Sequence, residues 1–169
     1  FVSGTFDYDV NEDWNTTSVD VAASVADPTA SVTINGTAGA TRTISLGAQG
    51  STTPVTIAVT SECGVTQNYT IDLVRGTCNS NNSLSGLTTS IGTWNTPFVS
   101  GTFDYDVAEA WNTTSVDVTA TLADASATMT INGTTQASGV SRNISLGAMG
   151  STTPVTIAVT SQCGVTQNY

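Results

Sequence analysis

A chain of 169 residues with three basic and 13 acidic side chains, no histidine and no lysine carries a formal charge of -10, a balance that repels nucleic acid and anionic membrane surfaces. Only 9% of the residues are charged, so solubility rests on the Thr, Ser and Asn at alternate positions, a neutral hydroxyl surface of the kind common outside the cell. No apolar run approaches the ~20 residues that span a bilayer, so membrane insertion is not expected, and an export signal would lie outside these residues.

The chain opens with FVSGTFDYDV at Phe1, which returns letter for letter at Phe98; WNTTSVDV, ISLGA and STTPVTIAVTS recur in the same order. One building block is therefore used twice, and repetition points to length and spacing before it points to chemistry. Trp14 recurs 97 positions on, at Trp111, whereas Arg42 and Cys63 recur 100 positions on, at Arg142 and Cys163. Three residues have thus entered the second copy between Ile131–Thr134 and Arg142, which predicts a surface loop there. Two β-sandwich repeats are expected, at residues 1–76 without a first strand and 77–169 without a last one, each of about 95 residues when whole, a size that buries a core. An array continuing on both sides would read this way.

In the first copy Tyr69, Ile71 and Leu73 mark a strand over Gln67–Arg75. The second copy opens near Ser83 with a strand through Leu84, Leu87 and Ile91. Next comes Thr102–Val107, with Phe103, Tyr105 and Val107 on one face and Thr102, Asp104 and Asp106 on the other. Thr114–Leu122 follows with Val116, Val118, Ala120 and Leu122 inward, then Thr128–Ile131, Ser141–Leu146 and Pro154–Thr160. Asn-Gly at Asn35 and Asn132, Leu-Gly at Leu46 and Leu146, and Cys-Gly at Cys63 and Cys163 supply turns. No segment keeps a helical period. Seven short strands with turns every 8 to 12 residues predict an all-β fold of tandem immunoglobulin-like sandwiches.

A leucine-bearing first strand, Phe-x-Tyr-x-Val, an Ile-Asn-Gly turn, Ile-x-Leu-Gly, Val-Thr-Ile-x-Val-Thr, a Cys-Gly turn and Asn-Tyr-Thr-Ile-x-Leu-Val-Arg follow one another in this order. This succession resembles the bacterial cadherin-like β-sandwich domain family, over essentially every residue of both copies. The motifs are core and turn positions, specific for fold and nearly silent on activity. The resemblance implies a tandem module of large surface or secreted proteins. Cys63 and Cys163 replace the acidic residue usual before the turn glycine.

Three cysteines in an exported, hydroxyl-rich β protein suggest disulfides. Cys63 and Cys78 bracket the last strand, whose ten or so residues at ~3.3 Å each hold them apart, well beyond the about 7 Å that a disulfide spans. With domains end to end, Cys78 instead meets Cys163, across the second domain's first strand and final hairpin turn, and Cys63 awaits a cysteine upstream of Phe1. Three free thiols are the other reading. With no histidine and no Cys-x-x-Cys, neither a cysteine nucleophile nor a zinc site is expected.

Asp7 and Asp9, repeated as Asp104 and Asp106, stand two apart on a strand face, with Glu12, Asp13 and Glu109 close behind. They form either a solvated face or a calcium site at a domain junction; the solvated face is the plainer reading, because the acidic linker motifs of calcium-dependent cadherins are missing. No cleft suggests a glycosidase pair. Trp14, Trp94 and Trp111 are core caps or sugar-stacking platforms, the capping role being the plainer one for Trp14 and Trp111; Trp111 is the possible ligand contact. Tyr8 and Tyr105 read as core residues whose hydroxyls reach the backbone. Sequons at Asn15, Asn35, Asn68, Asn81, Asn112, Asn132 and Asn143 matter only in a host that glycosylates them, and no sustained Thr-x-Thr ladder suggests ice binding.

The expectation is a non-enzymatic, cofactor-free structural repeat of an extracellular filament, stalk or sheath, partnered by further copies of itself in a head-to-tail array or a donor-strand polymer. The alternative is a cell-surface adhesin or carbohydrate-binding module meeting glycans through Trp111 or the lengthened loop Thr134 to Ser141. An accessory domain of a secreted enzyme is a third possibility.

Overall fold

Alternation of branched apolar and hydroxyl side chains commits the chain to strands. The computed structural model describes residue 2 and residues 4–169; Phe1 and Ser3, where the first copy begins, lie outside the described residues. Among the described residues there is no helix. The chain forms two compact units, Phe1–Cys78 and Asn79–Tyr169.

In the first unit β1 (Asp7–Glu12), β3 (Ser31–Ile34), β4 (Thr37–Ala38), β6 (Thr52–Thr60) and β7 (Thr66–Arg75) form a sheet in the order β1-β7-β6-β3-β4, and β2 (Ser18–Ala22) pairs with β5 (Thr41–Ser45) in a second. Inward residues of both sheets, Val21, Ile34, Ile44, Val55, Ile57 and Leu73, make one core, as the face-to-face packing of two sheets requires. Each such buried side chain contributes about 1.5–3 kcal/mol relative to exposure. β7 is antiparallel to β6 but parallel to β1, with Asp7 opposite Thr70 and Glu12 opposite Arg75. Alternation fixes which residues face inward, not the direction of the neighbouring strand, so the parallel pairing is news from the fold.

In the second unit β8 (Leu84–Thr89), β11 (Ser115–Leu122) and β14 (Ser141–Ser145) form the sheet β14-β11-β8. Facing residues come from β12 (Thr128–Ile131), β13 (Thr134–Gln136), β15 (Ile157–Thr160) and β16 (Thr166–Asn168), ordered β13-β12-β15-β16. Leu84, Val116, Val118, Met129, Ile131, Ile144 and Val159 belong to the core between them, with Trp94 packed against it. A separate ladder joins β9 (Thr93–Trp94) to β10 (Val107–Ala108).

Both Asn-Gly turns close hairpins. Asn35 and Gly36 have φ of 48° and 73°, Asn132 and Gly133 of 49° and 74°, the left-handed pair that a two-residue turn between twisted strands requires. Each asparagine Oδ1 also accepts the amide of Thr56 or Thr156 at 2.8 Å. The three added residues lengthen the hairpin beyond Asn132: β13 is followed by a turn over residues 137–140, as a surface loop.

Three strand expectations need correction. The stretch Thr102–Val107 forms a ladder only at Val107–Ala108, and Phe103 is exposed. Pro154–Thr160 is a strand only from Ile157. In both cases a strand must have a neighbour, and among the described residues no stretch lies between these two as Thr70–Arg75 lies between their counterparts in the first unit. Ile91 lies beyond the end of β8 and is exposed, because the chain turns at Ser90–Gly92 towards β9.

Candidate functional site: an open sheet edge in the second unit

The first unit shows the complete arrangement. Thr70–Arg75 lies between Asp7–Glu12 on one side and Thr52–Thr56 on the other, apart from Arg75, whose amide donates to Ser51 O at 3.0 Å. The Thr70 amide donates to Phe6 O at 2.7 Å and the Gly76 amide to Glu12 O at 2.9 Å. Arg75 ends the strand, with Nε donating to Trp14 O at 2.9 Å and Nη1 to Gly47 O at 2.8 Å. Its inward side chains are Ile71, packed on the core, and Leu73, within it.

In the second unit the ladder between β15 and β16 reaches Tyr169, which exchanges both backbone hydrogen bonds with Ile157 at 2.9 Å. The stretches matching the two flanking strands retain their sequences, Asp104–Val107 repeating Asp7–Val10 and Ser151–Thr156 repeating Ser51–Thr56. Between them runs a cleft of about 680 Å³ lined by Phe103, Tyr105, Val107, Trp111, Val155 and Tyr169 among others. Val55 is fully buried, whereas Val155 is half-buried at the cleft.

The cleft gathers several of the residues singled out in the sequence. Trp111 and Met149, both lining the cleft, are 77% and 76% exposed. Trp111 therefore does not cap the core, whereas Trp14, whose carbonyl holds Arg75, is half-buried. Trp94 is the tryptophan that seals the second core: its Nε1 donates to Thr89 Oγ1 at 2.8 Å and its ring meets Tyr105 edge-on at 5.4 Å. Both tyrosine hydroxyls reach the backbone as expected, and Tyr105 packs against the core of its unit. The Tyr105 hydroxyl donates to Val99 O at 2.8 Å, and the Tyr8 hydroxyl reaches Val2 O and Thr5 O at 2.9 Å.

Asp104 and Asp106 are exposed, consistent with a solvated face. Glu109 differs. Its Oε1 is buried and, among the described residues, has no hydrogen-bond partner. A Cβ at Gly92 would come within 2.3 Å of that oxygen and 2.7 Å of Val107 Cγ1, so Gly92, at φ 98°, is what lets the carboxylate sit against the backbone. The alternation pattern hid this, because Glu109 follows the last paired residue and its burial depends on a glycine 17 positions earlier. Among the described residues no three metal-ligating side chains come together.

Two exposed aspartates cap turns. Asp27 Oδ1 accepts the Thr29 amide at 2.9 Å and its hydroxyl at 2.7 Å, and the hydrogen bond from that backbone amide leads in holding its carboxyl below the ordinary 3.8. At Asp124 the Ser126 hydroxyl leads and the Ser126 amide adds to the same lowering.

Cys78 and Cys163 are disulfide-bonded. Within the second unit the chain just beyond Cys78 runs along the Cys163 turn: Asn79 O accepts the Cys163 amide at 3.2 Å, and the Asn79 amide donates to Gln162 Oε1 at 2.8 Å. The start of the second repeat and its last hairpin turn are therefore neighbours, as the disulfide expectation needs. Cys63 is an exposed free thiol among the described residues.

No curated protein matches the chain. A protein-family profile described as the cadherin-like beta sandwich domain matches residues 1–76 and again residues 82–169, nearly the whole chain in two successive stretches. Domains of this kind are typically extracellular or surface-exposed, in keeping with the disulfide. Two facing sheets around each core, the same turns in each copy and the double match lead to one assignment: the chain belongs to the family of cadherin-like β-sandwich domains.

Proposed function

We propose that the chain is a non-enzymatic structural repeat of an extracellular filament, stalk or sheath, whose partners are further copies of itself. The observation that carries this reading is the near-identity of the two copies together with the disulfide from Cys78 to Cys163, which closes a stretch spanning the second copy. Closing such a loop contributes about 4 kcal/mol, a gain suited to a part exposed to proteases and mechanical load. Cys63 stands where Cys163 stands in the other copy, and in a longer array it pairs with an upstream cysteine in the same way. Electron micrographs of the protein purified from its source test the reading. An ordered fibre or sheath is expected; monodisperse particles at every concentration would overturn it.

The exposure of Trp111 favours a second reading, an adhesin or carbohydrate-binding module, since indole faces are common platforms for sugar rings. Glycan-array binding that Trp111→Ala abolishes would establish it, and an array without any bound glycan would remove it.

A further inference from the structure

Each repeat carries Trp-Asn-Thr-Thr, at Trp14 and again at Trp111, in the turn that leads into β2 or β11. We propose that Asn15 and Asn112 are the acceptor sites on the folded chain for an N-linked oligosaccharide, one in each repeat, transferred from a polyisoprenyl pyrophosphate donor.

The chemistry sets two conditions. The side-chain nitrogen of the asparagine bonds to the anomeric carbon of the sugar, the bond from that carbon to the pyrophosphate oxygen breaks, and the nitrogen gives up one proton. The lipid pyrophosphate leaves with the electron pair. Because the motif Asn-x-Ser/Thr demands a hydroxyl two residues on, the transferring enzyme must reach that hydroxyl as well as the amide. Both groups must therefore be open, on a backbone outside any ladder.

Among the described residues only these two of the seven sequons meet both conditions. Asn15 and Asn112 are exposed, as are Thr17 and Thr114, and none of the four side chains makes a hydrogen bond to another described residue. The turn is closed by the middle residue of the motif, the Thr16 amide donating to Asp13 O at 3.0 Å and the Thr113 amide to Ala110 O at 2.9 Å. Elsewhere the motif is engaged. At Asn35 and Asn132 the side-chain oxygen accepts the Thr56 or Thr156 amide, and the hydroxyl of Thr37 or Thr134 accepts from Arg42 or Arg142. Asn68 lies in β7, with the Thr70 hydroxyl donating to Asp7. Asn81 Oδ1 accepts the amide of half-buried Ser83 at 3.0 Å. Asn143, in β14, donates its side-chain nitrogen to Asp117 Oδ1 at 2.7 Å.

The two copies check each other. Asn15 is exposed in the unit that holds β7, and Asn112 in the unit that holds β8, so neither strand covers the turn. Asn112 also stands outside the lining of the cleft. A glycan at this turn requires no filament, so the micrographs and the glycan map fail separately.

The test is peptide mapping by mass spectrometry. Two samples are compared: the protein purified from its source, and the folded 169-residue chain treated with a single-subunit oligosaccharyltransferase and its lipid-linked donor. One oligosaccharide is expected at each of Asn15 and Asn112 in both samples, with Asn35, Asn68, Asn132 and Asn143 bare in the treated chain. Short synthetic peptides spanning those four sequons are expected to accept the sugar, since the fold alone closes them. Thr17→Ala and Thr114→Ala each abolish transfer at their own site while leaving the asparagine in place, and an unchanged urea midpoint verifies that the variants remain folded. A source protein bare at both positions would overturn the proposal. So would equal transfer to Asn35 or Asn143 on the folded chain, or refusal of the folded chain by an enzyme that accepts the Asn15 peptide.

Discussion

Thr52–Thr56 and Thr152–Thr156 have the same sequence, yet the first belongs to a nine-residue strand and the second has no strand pairing. The difference lies in their neighbours. Thr70–Val74 pairs with the first stretch, and nothing among the described residues pairs with the second. A β-propensity is a readiness to be used, and a pairing partner decides whether it is used. The first sheet pair shows the reciprocal case: β11 is paired by β14 and β8, while its counterpart β2 pairs with β5 alone among the described residues.

The largest expected separation of the two units comes from the disulfide. Cys78→Ser, or reduction, is expected to destabilise the second unit by about 4 kcal/mol and to leave the first unit's transition in place, giving two resolved steps in urea. A single shared step that moves as a whole would show the units to be coupled. Hydrogen exchange addresses the strand difference directly. The amides that pair in Thr52–Thr56 are expected to exchange at least about a hundredfold more slowly than their counterparts in Thr152–Thr156, since the former open only with their sheet.

Next come paired truncations. Val55→Ala should cost about 2 kcal/mol and Val155→Ala less than half of that, because only the first is fully buried; equal losses in calorimetry would place both valines in equivalent cores. Trp111→Phe should remove most of the emission that acrylamide quenches in the second unit, and Trp14→Phe much less.

The smallest effect is that of pH. Asp27 and Asp124 have carboxyls held below 3.8 when folded, so their contribution is complete at neutral pH and above the unfolded value. It is lost as the pH drops below 3.8 and passes through the lowered folded values. Asp27→Asn and Asp124→Asn should each flatten the acid limb of the stability curve of their own unit, measured by urea midpoints between pH 2 and 6. An effect on the alkaline side would contradict the sign.

Much of this was legible in the residues. Period-two alternation located Ser115–Leu122, Thr128–Ile131 and Thr66–Arg75 to within a residue, because half-buried strands must alternate. The Asn-Gly pairs announced their turns, because few residues tolerate the left-handed backbone. The reach of an extended strand excluded Cys63 as the partner of Cys78, and Cys163 followed only with the added premise of domains joined end to end. That residues 77–169 lack a last strand was legible from the repeat register; that Asp104–Asp106 and Thr152–Thr156 then form no ladder was not, since they carry the same pattern as Asp7–Asp9 and Thr52–Thr56 and differ only in what lies beside them. The exposure of Trp111 and the buried oxygen of Glu109 were not legible either, the latter because it depends on Gly92, 17 positions earlier.

By itself the sequence determined the all-β class, the repeated sandwich, the inward rows and the turns, because each is set by residues near one another along the chain. Only the tertiary structure decided that β1 runs parallel to β7, that Asp104–Asp106 and Thr152–Thr156 form no ladder, and that Oε1 of Glu109 is buried beside Gly92. Those outcomes depend on pairings between distant segments, and local pattern carries no record of a distant partner.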